Sequence, residues 1–112
     1  FIKLLKIDTK IVLSSSLKIN EDRSKKIVNI CNHFNVNQYF SSYGAKDYLK
    51  DDKKIFIDKK INVSLHNYKH PEYKQMYAPF ISNACILDLI FNEGENSLKI
   101  IKKGRKDNIS LF

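Results

Sequence analysis

Between Asn20 and Tyr68 the spacing of apolar residues changes period more than once, and few folds accommodate such a change. In "EDRSKKIVNICNHF" the residues Ile27, Ile30, Cys31 and Phe34 recur at i, i+3, i+4 and i+7, which is one face of a helix. Glu21 and Asp22 stand in the first turn, where the macrodipole favours negative charge. The spacing predicts a helix capped by Asn20 and stopped at Asn35. A β-branched and aromatic run from Val36 to Ser41 reads as a strand. "GAKDYLKD" follows as a short helix leading into a second helical piece around "KKIFIDKK". In "INVSLHNY", residues 61–68, Ile61, Val63 and Leu65 alternate with Asn62, Ser64 and His66, the mark of a strand with one covered face.

Upstream, Lys10 to Leu17, "KIVLSSSL", has the pattern of a buried strand whose C-terminal end opens to solvent. Strand, helix, strand, helix, strand predicts an α/β fold with a small, mainly parallel sheet and crossover helices. The segments at 11–15, 37–41 and 62–67 are then expected to be parallel neighbours. Pro71 and Pro79 bracket an irregular aromatic segment, "PEYKQMYAP". From Asn83, "NACILDLIFNEG" reads as a strongly apolar helix with Gly94 as its left-handed stop. "ENSLKIIKKG" completes a C-terminal helical pair, with Leu98 and Ile101 inward and Gly104 at its end. "FIKLLKI" and "RKDNISLF" carry no assignable pattern.

A chain of 112 residues is expected to form a single α/β domain over residues 1–112. Its opening at Phe1 reads as entered in mid-element, as in the C-terminal portion of a longer protein. No run approaches the roughly 18 to 20 apolar residues that span a bilayer, so a soluble, cytoplasmic protein without a membrane span is expected. Cys31 and Cys85 lie inside apolar periodic segments and read as buried thiols. No His, Cys, Asp or Glu cluster has metal-ligand spacing, and no metal or cofactor is expected. The formal net charge is +8, but Arg23 and Arg105 are the only arginines among 20 basic residues. Base-reading surfaces lean on arginine, and these lysines are interleaved with acids. The balance therefore favours a phosphate-bearing or otherwise acidic ligand over specific nucleic-acid binding.

In open α/β sheets ligands sit beyond the C-terminal ends of the strands. Those ends here are Ser14 to Ser16, Ser41 to Gly44 and Asn67 to His70, which would share one rim. Ser14, Ser15, Ser41, Ser42 and Gly44, supported by Lys46 one turn inside the next helix, are candidate contacts for an anionic group. The plainer reading is that serines and glycine end strands and start helices. His70, held one residue before Pro71, is a candidate base or ligand contact, or a structural hydrogen-bonder. Asp88 sits amid apolar neighbours and requires a lysine, arginine, tyrosine or backbone partner, for structure or for catalysis. Tyr73, Gln75, Tyr77 and Phe80 either line a sugar or nucleotide pocket or clamp the last helix.

The pieces "SSSLKINEDRSKKIVNICNHF", "YFSSYGAKDYL", "HPEYKQMYAPF" and "ILDLIFNEG", in this order and spacing, resemble the C-terminal half of the WbqC-like proteins. The likeness runs from about Ser14 to Leu98. The family's Gln-Pro and aromatic-rich opening motif has no counterpart here. Two positions depart from the family pattern: Ser42 stands where a glycine is usual, and Cys85 where a serine is usual. The resemblance implies a role in bacterial O-antigen or other surface-polysaccharide biosynthesis, with amino-acyl (glycine) transfer to a sugar as the implied reaction. The implied substrate is a sugar-linked or acyl-activated anionic small molecule. The alternative is a non-catalytic binding or scaffold module of a glycan-biosynthesis complex.

Overall fold

The computed structural model describes residues 1–112. It resolves into two compact units, a sheet unit of Lys10–Asn67 with Asp107–Phe112 and a helical unit of Phe1–Thr9 with Tyr68–Lys106.

The sheet unit contains α1 (Arg23–His33), β1 (Gln38–Ser42), α2 (Lys46–Asp51), α3 (Lys53–Ile57), β2 (Asn62–His66) and β3 (Ile109–Ser110). Helix α1 buries Val28 and Cys31 and ends where the sequence places its stop. Asn35 adopts φ 52°, its N–H donates to Asn32 O at 3.0 Å, and Val36 N–H donates to Cys31 O at 2.9 Å. This paired 5→2 and 6→1 bonding closes the orphan carbonyls of the last turn. The start differs: the helix begins at Arg23, not just after Asn20, and Asp22 occupies the N-cap position with no side-chain capping bond. Helix α3 stops by the same device on a lysine. Lys60 takes φ 55°, with Lys60 N–H to Ile57 O at 2.8 Å and Ile61 N–H to Phe56 O at 3.0 Å.

Strands β1 and β2 are parallel, in register from Gln38 opposite Asn62 to Ser42 opposite His66, and α2 and α3 form the crossover between them. β3 pairs antiparallel with β2, placing Ile109 opposite Leu65, so the sheet has the order β1-β2-β3 and is mixed. The expected strand at 11–15 is absent. Ser14–Leu17 instead form a 3₁₀ turn, closed by the Ser16 N–H at 3.0 Å and its hydroxyl at 2.7 Å on the Leu13 carbonyl, and Lys18 turns the chain at φ 50°. Ile11, Val12 and Leu13 are exposed. Strand propensity is realised only where a pleated edge and a covered face are on offer. That place is taken by the tail, where Leu111 N–H donates to Val63 O and Val63 N–H to Phe112 O, both at 2.8 Å. Val63 and Leu65 of β2, Leu49 of α2 and Phe56 of α3 are fully buried at the centre of the core, with Ile109, Leu111 and Phe112 packed against it.

In the helical unit, α4 (Ile86–Glu93) and α5 (Ser97–Lys103) are joined by a 3₁₀ turn at Gly94–Asn96. Gly94 has the expected positive φ of 51°, but with ψ −123° it lies outside the left-handed helical well, in a region open essentially to glycine alone. Buried Ser97 ties the turn down, its hydroxyl donating to Gly94 O at 2.6 Å. Helix α4 starts at Ile86 and not at Asn83, because Asn83 turns at φ 57° and Cys85 is extended at φ −57°, ψ 150°. Cys85 is therefore exposed at the N-cap position with no side-chain capping bond, contrary to the expected burial. Cys31 is buried, and burial pushes its thiol above its ordinary value. On α5, Ile100 is buried and Leu98 and Ile101 are half-buried beside it. No helix is long and apolar enough to cross a membrane.

Candidate functional site

The segment after Pro71 has no regular hydrogen-bond ladder, and it is held to α4 by side-chain bonds and by the Lys74 N–H, which donates to Glu93 Oε1 at 3.1 Å. The Tyr73 hydroxyl donates to Asp88 Oδ2 at 2.7 Å, and Gln75 Nε2 donates to the same oxygen at 2.9 Å. Gln75 is itself clamped, since Nε2 also donates to Ile81 O at 3.0 Å and Oε1 accepts from Ile81 N–H at 2.8 Å. Asn92, one turn beyond Asp88 on α4, donates to the Asp88 carbonyl at 2.8 Å and to Oδ1 at 3.1 Å. Both carboxylate oxygens are thus engaged by neutral donors. A tyrosine is the principal partner, and the amides of Gln75 and Asn92 complete the set.

Asp88 is half-buried and not enclosed by apolar groups on every side, because Leu87 and Phe91 turn outward on α4. It lines a cavity of about 380 Å³ together with Gln75, Met76, Tyr77, Ile81, Ala84, Phe91 and Asn92. Tyr77 is 80% exposed and Phe91 82% exposed, so two rings project from the cavity wall. The combination is an oriented carboxylate and amides among exposed rings.

The Tyr73 hydrogen bond, then that of Gln75, holds the Asp88 carboxyl below its ordinary value against a smaller opposing effect of burial, and Asn92 adds to the lowering. Tyr73 is displaced upward, first by burial and then by its bond to Asp88. A depressed carboxyl favours the folded state above its unfolded value, near pH 3.9, and loses that contribution as pH falls through the lower folded value. The raised tyrosine favours folding below about pH 10 and loses its contribution as pH rises through the higher folded value. The urea midpoint of the native chain is therefore expected to fall in acid below about pH 4, and Asp88→Asn to flatten that limb. Equal acid limbs for the two proteins would place the charge of Asp88 outside the folding balance.

The remaining candidates divide between the units. Ser14 and Ser15 are exposed in the 3₁₀ turn and end no strand, so the three-cluster rim loses its first member. Ser41 is buried, and its Oγ accepts the Tyr39 hydroxyl at 3.2 Å, turning it into the unit and away from an open rim. Ser42 is exposed and lies opposite His66 at the ends of the two parallel strands. It keeps an extended φ of −70°, so the family's usual glycine is not required there for positive φ. Gly44 is exposed with open space where a Cβ would project. Lys46 directs its ammonium to the Tyr43 hydroxyl at 3.3 Å and over the ring at 5.2 Å. His70 belongs to the helical unit, its ring packing on Tyr73 at 6.1 Å and Phe80 at 6.2 Å, with Nδ1 buried and lacking a hydrogen-bond partner. Tyr73, Gln75 and Asp88 are brought together, while the serine turn belongs to the sheet unit. No group of three or more His, Cys, Asp or Glu side chains is arranged to hold a metal ion.

The model of the WbqC-like protein family matches residues 1–100, extending the likeness upstream of Ser14. The chain is also similar to the uncharacterised protein Rv1507c of Mycobacterium tuberculosis, with 29% identity over 91 residues. The match covers 80% of this chain and 38% of that relative, so the chain spans well under half of the relative's length. No solved structure matches.

Proposed function

The chain belongs to the WbqC-like protein family, and from that footing we propose that it acts in bacterial surface-polysaccharide assembly, with the Asp88 pocket as the seat of a sugar. The observation that carries the reading is the pairing of Asp88, Gln75 and Asn92 with the exposed rings of Tyr77 and Phe91 around one cavity. Sugars present hydroxyls that bond to carboxylates and amides, and apolar C–H faces that pack on aromatic rings. The reaction that the resemblance implies is transfer of an acyl group, such as glycyl, from an activated acyl donor to a sugar hydroxyl or amine, with the donor's activating group leaving and the acceptor's proton lost. In that reaction Asp88 orients the acceptor hydroxyl or amine. Its depressed pKa makes it a weak base, so proton removal falls to another group.

Backbone amide shifts followed during titration with nucleotide-sugars and with the matching free sugars test the reading. Saturable shifts are expected at Gln75, Tyr77, Asp88 and Phe91, for the free sugar as well as the nucleotide-sugar. Tyr77→Ala and Phe91→Ala are each expected to weaken binding by roughly tenfold, the effect of removing an aromatic anchor. A pocket silent to every sugar would overturn the proposal.

A further inference from the structure

We propose that a second pocket of the helical unit, walled by Lys69, His70, Pro71, Glu72, Lys103 and Lys106, is an anion site that takes a phosphoryl group. The cavity measures about 280 Å³. Three lysines and one acid, Glu72, line it, a formal excess of two positive charges. No ion pair or side-chain hydrogen bond ties down any of the three lysines. Like charges gathered at one cavity repel, and a dianion with several acceptor oxygens relieves that repulsion and bonds to each ammonium.

The convergence is set by the backbone. Lys69 N–H donates to Gly104 O at 2.9 Å and Tyr68 bridges antiparallel to Arg105, which fixes the 68–70 segment against the end of α5. Lysines at a helix C-terminus also complement its dipole, and that accounts for Lys102 and Lys103. It does not account for Lys69, which comes from another segment, or for Lys106, beyond the helix. His70 also lines this wall, but its ring packs on Tyr73 and Phe80 with Nδ1 enclosed, so the lysines carry the contact with the anion. Lysine serves as a point charge for phosphate, so the scarcity of arginine is no obstacle here. The inference does not rest on the sugar reading, since inorganic phosphate tests it alone.

The full chain is titrated with inorganic phosphate, pyrophosphate, a sugar 1-phosphate and vesicles containing phosphatidic acid, with backbone amides as the readout. Saturable shifts are expected at Lys69, His70, Lys103 and Lys106. A response to the soluble anions assigns the source to a free or sugar-borne phosphate; a response to vesicles alone assigns it to a lipid headgroup. Lys103→Ala with Lys106→Ala is expected to weaken binding by roughly tenfold or more, as loss of two charge-assisted contacts would. Glu72→Gln, which removes the opposing charge with little change of shape, is expected to tighten it. No response to any of the four ligands would overturn the proposal. So would shifts spread evenly over Lys50, Lys53 and Lys54 of the sheet unit, or Glu72→Gln binding more weakly while still folded.

Discussion

Phe56→Ala is expected to lower the unfolding free energy by about 3–5 kcal/mol, the usual penalty for emptying a fully buried aromatic site. Phe56 has no exposed surface. Its ring stacks with that of Tyr39 from β1 at 6.2 Å and meets Phe112 of the tail at 5.8 Å. One side chain on the crossover thus bears on the first strand and on the C-terminal tail. Domains hold only about 5–15 kcal/mol in total, so the variant loses a large share of its stability. Phe56→Leu keeps most of the volume and is expected to lose about 1 kcal/mol. Urea unfolding of the two variants beside the native chain checks this. A loss under about 1 kcal/mol for the alanine variant would mean that the site collapses around the smaller residue.

The sequence spelled out Phe56 as one apolar residue in "KKIFIDKK", but not its rank in the core. Where an end signal or a strict alternation was present, the reading matched the structure, as at Asn35, the left-handed stop of α1, and in the inward Ile61, Val63 and Leu65; the face of α1 did not match, since Val28 and Cys31 are buried while Phe34 is exposed. It failed where partner choice decided. "KIVLSSSL" and "RKDNISLF" both contain short β-branched or apolar runs, and only docking beside Val63 makes one of them a strand. Local pattern carries no information about that competition. The stop at Lys60 escaped notice because nothing local marks a lysine as the residue to take φ 55°.

The site divides in the same way. An acid within an apolar helix pointed to Asp88, and the need to satisfy a carboxylate pointed to a donor. Tyr73 and Gln75 were legible as candidates because prolines bracket them, whereas Asn92 was missed although its i+4 spacing from Asp88 is a recognisable helical contact. The basic pocket was illegible as a site. Lys69 and Lys103 are far apart in the chain, and they approach only because of what Gly104 lacks.

Gly104→Ala is expected to destabilise the protein by about 1–3 kcal/mol and to disrupt the phosphate response of the basic pocket together with it. The backbone at Gly104 is helical, φ −75° and ψ −11°, a conformation that any residue adopts. On propensity alone alanine would be favoured there by up to about 1 kcal/mol. Space reverses the sign. A Cβ at this position would lie 2.5 Å from two carbons of the Tyr68 ring and 2.6 Å from the Lys69 carbonyl oxygen. The ring can swing aside, but the carbonyl is backbone, and its own residue is held by the Lys69 N–H bond to Gly104 O. Relief requires the 68–70 segment to move off α5, which carries Lys69 and His70 away from Lys103 and Lys106. Gly44→Ala is the control, because nothing lies within 4 Å of its Cβ position. It is expected to be neutral or stabilising by about 0.4–1 kcal/mol through the unfolded chain. Paired urea titrations with and without inorganic phosphate distinguish the two glycines. If Gly104→Ala proves as stable as Gly44→Ala and still responds to phosphate, the close approach of Tyr68 and Lys69 to α5 is not what builds the pocket.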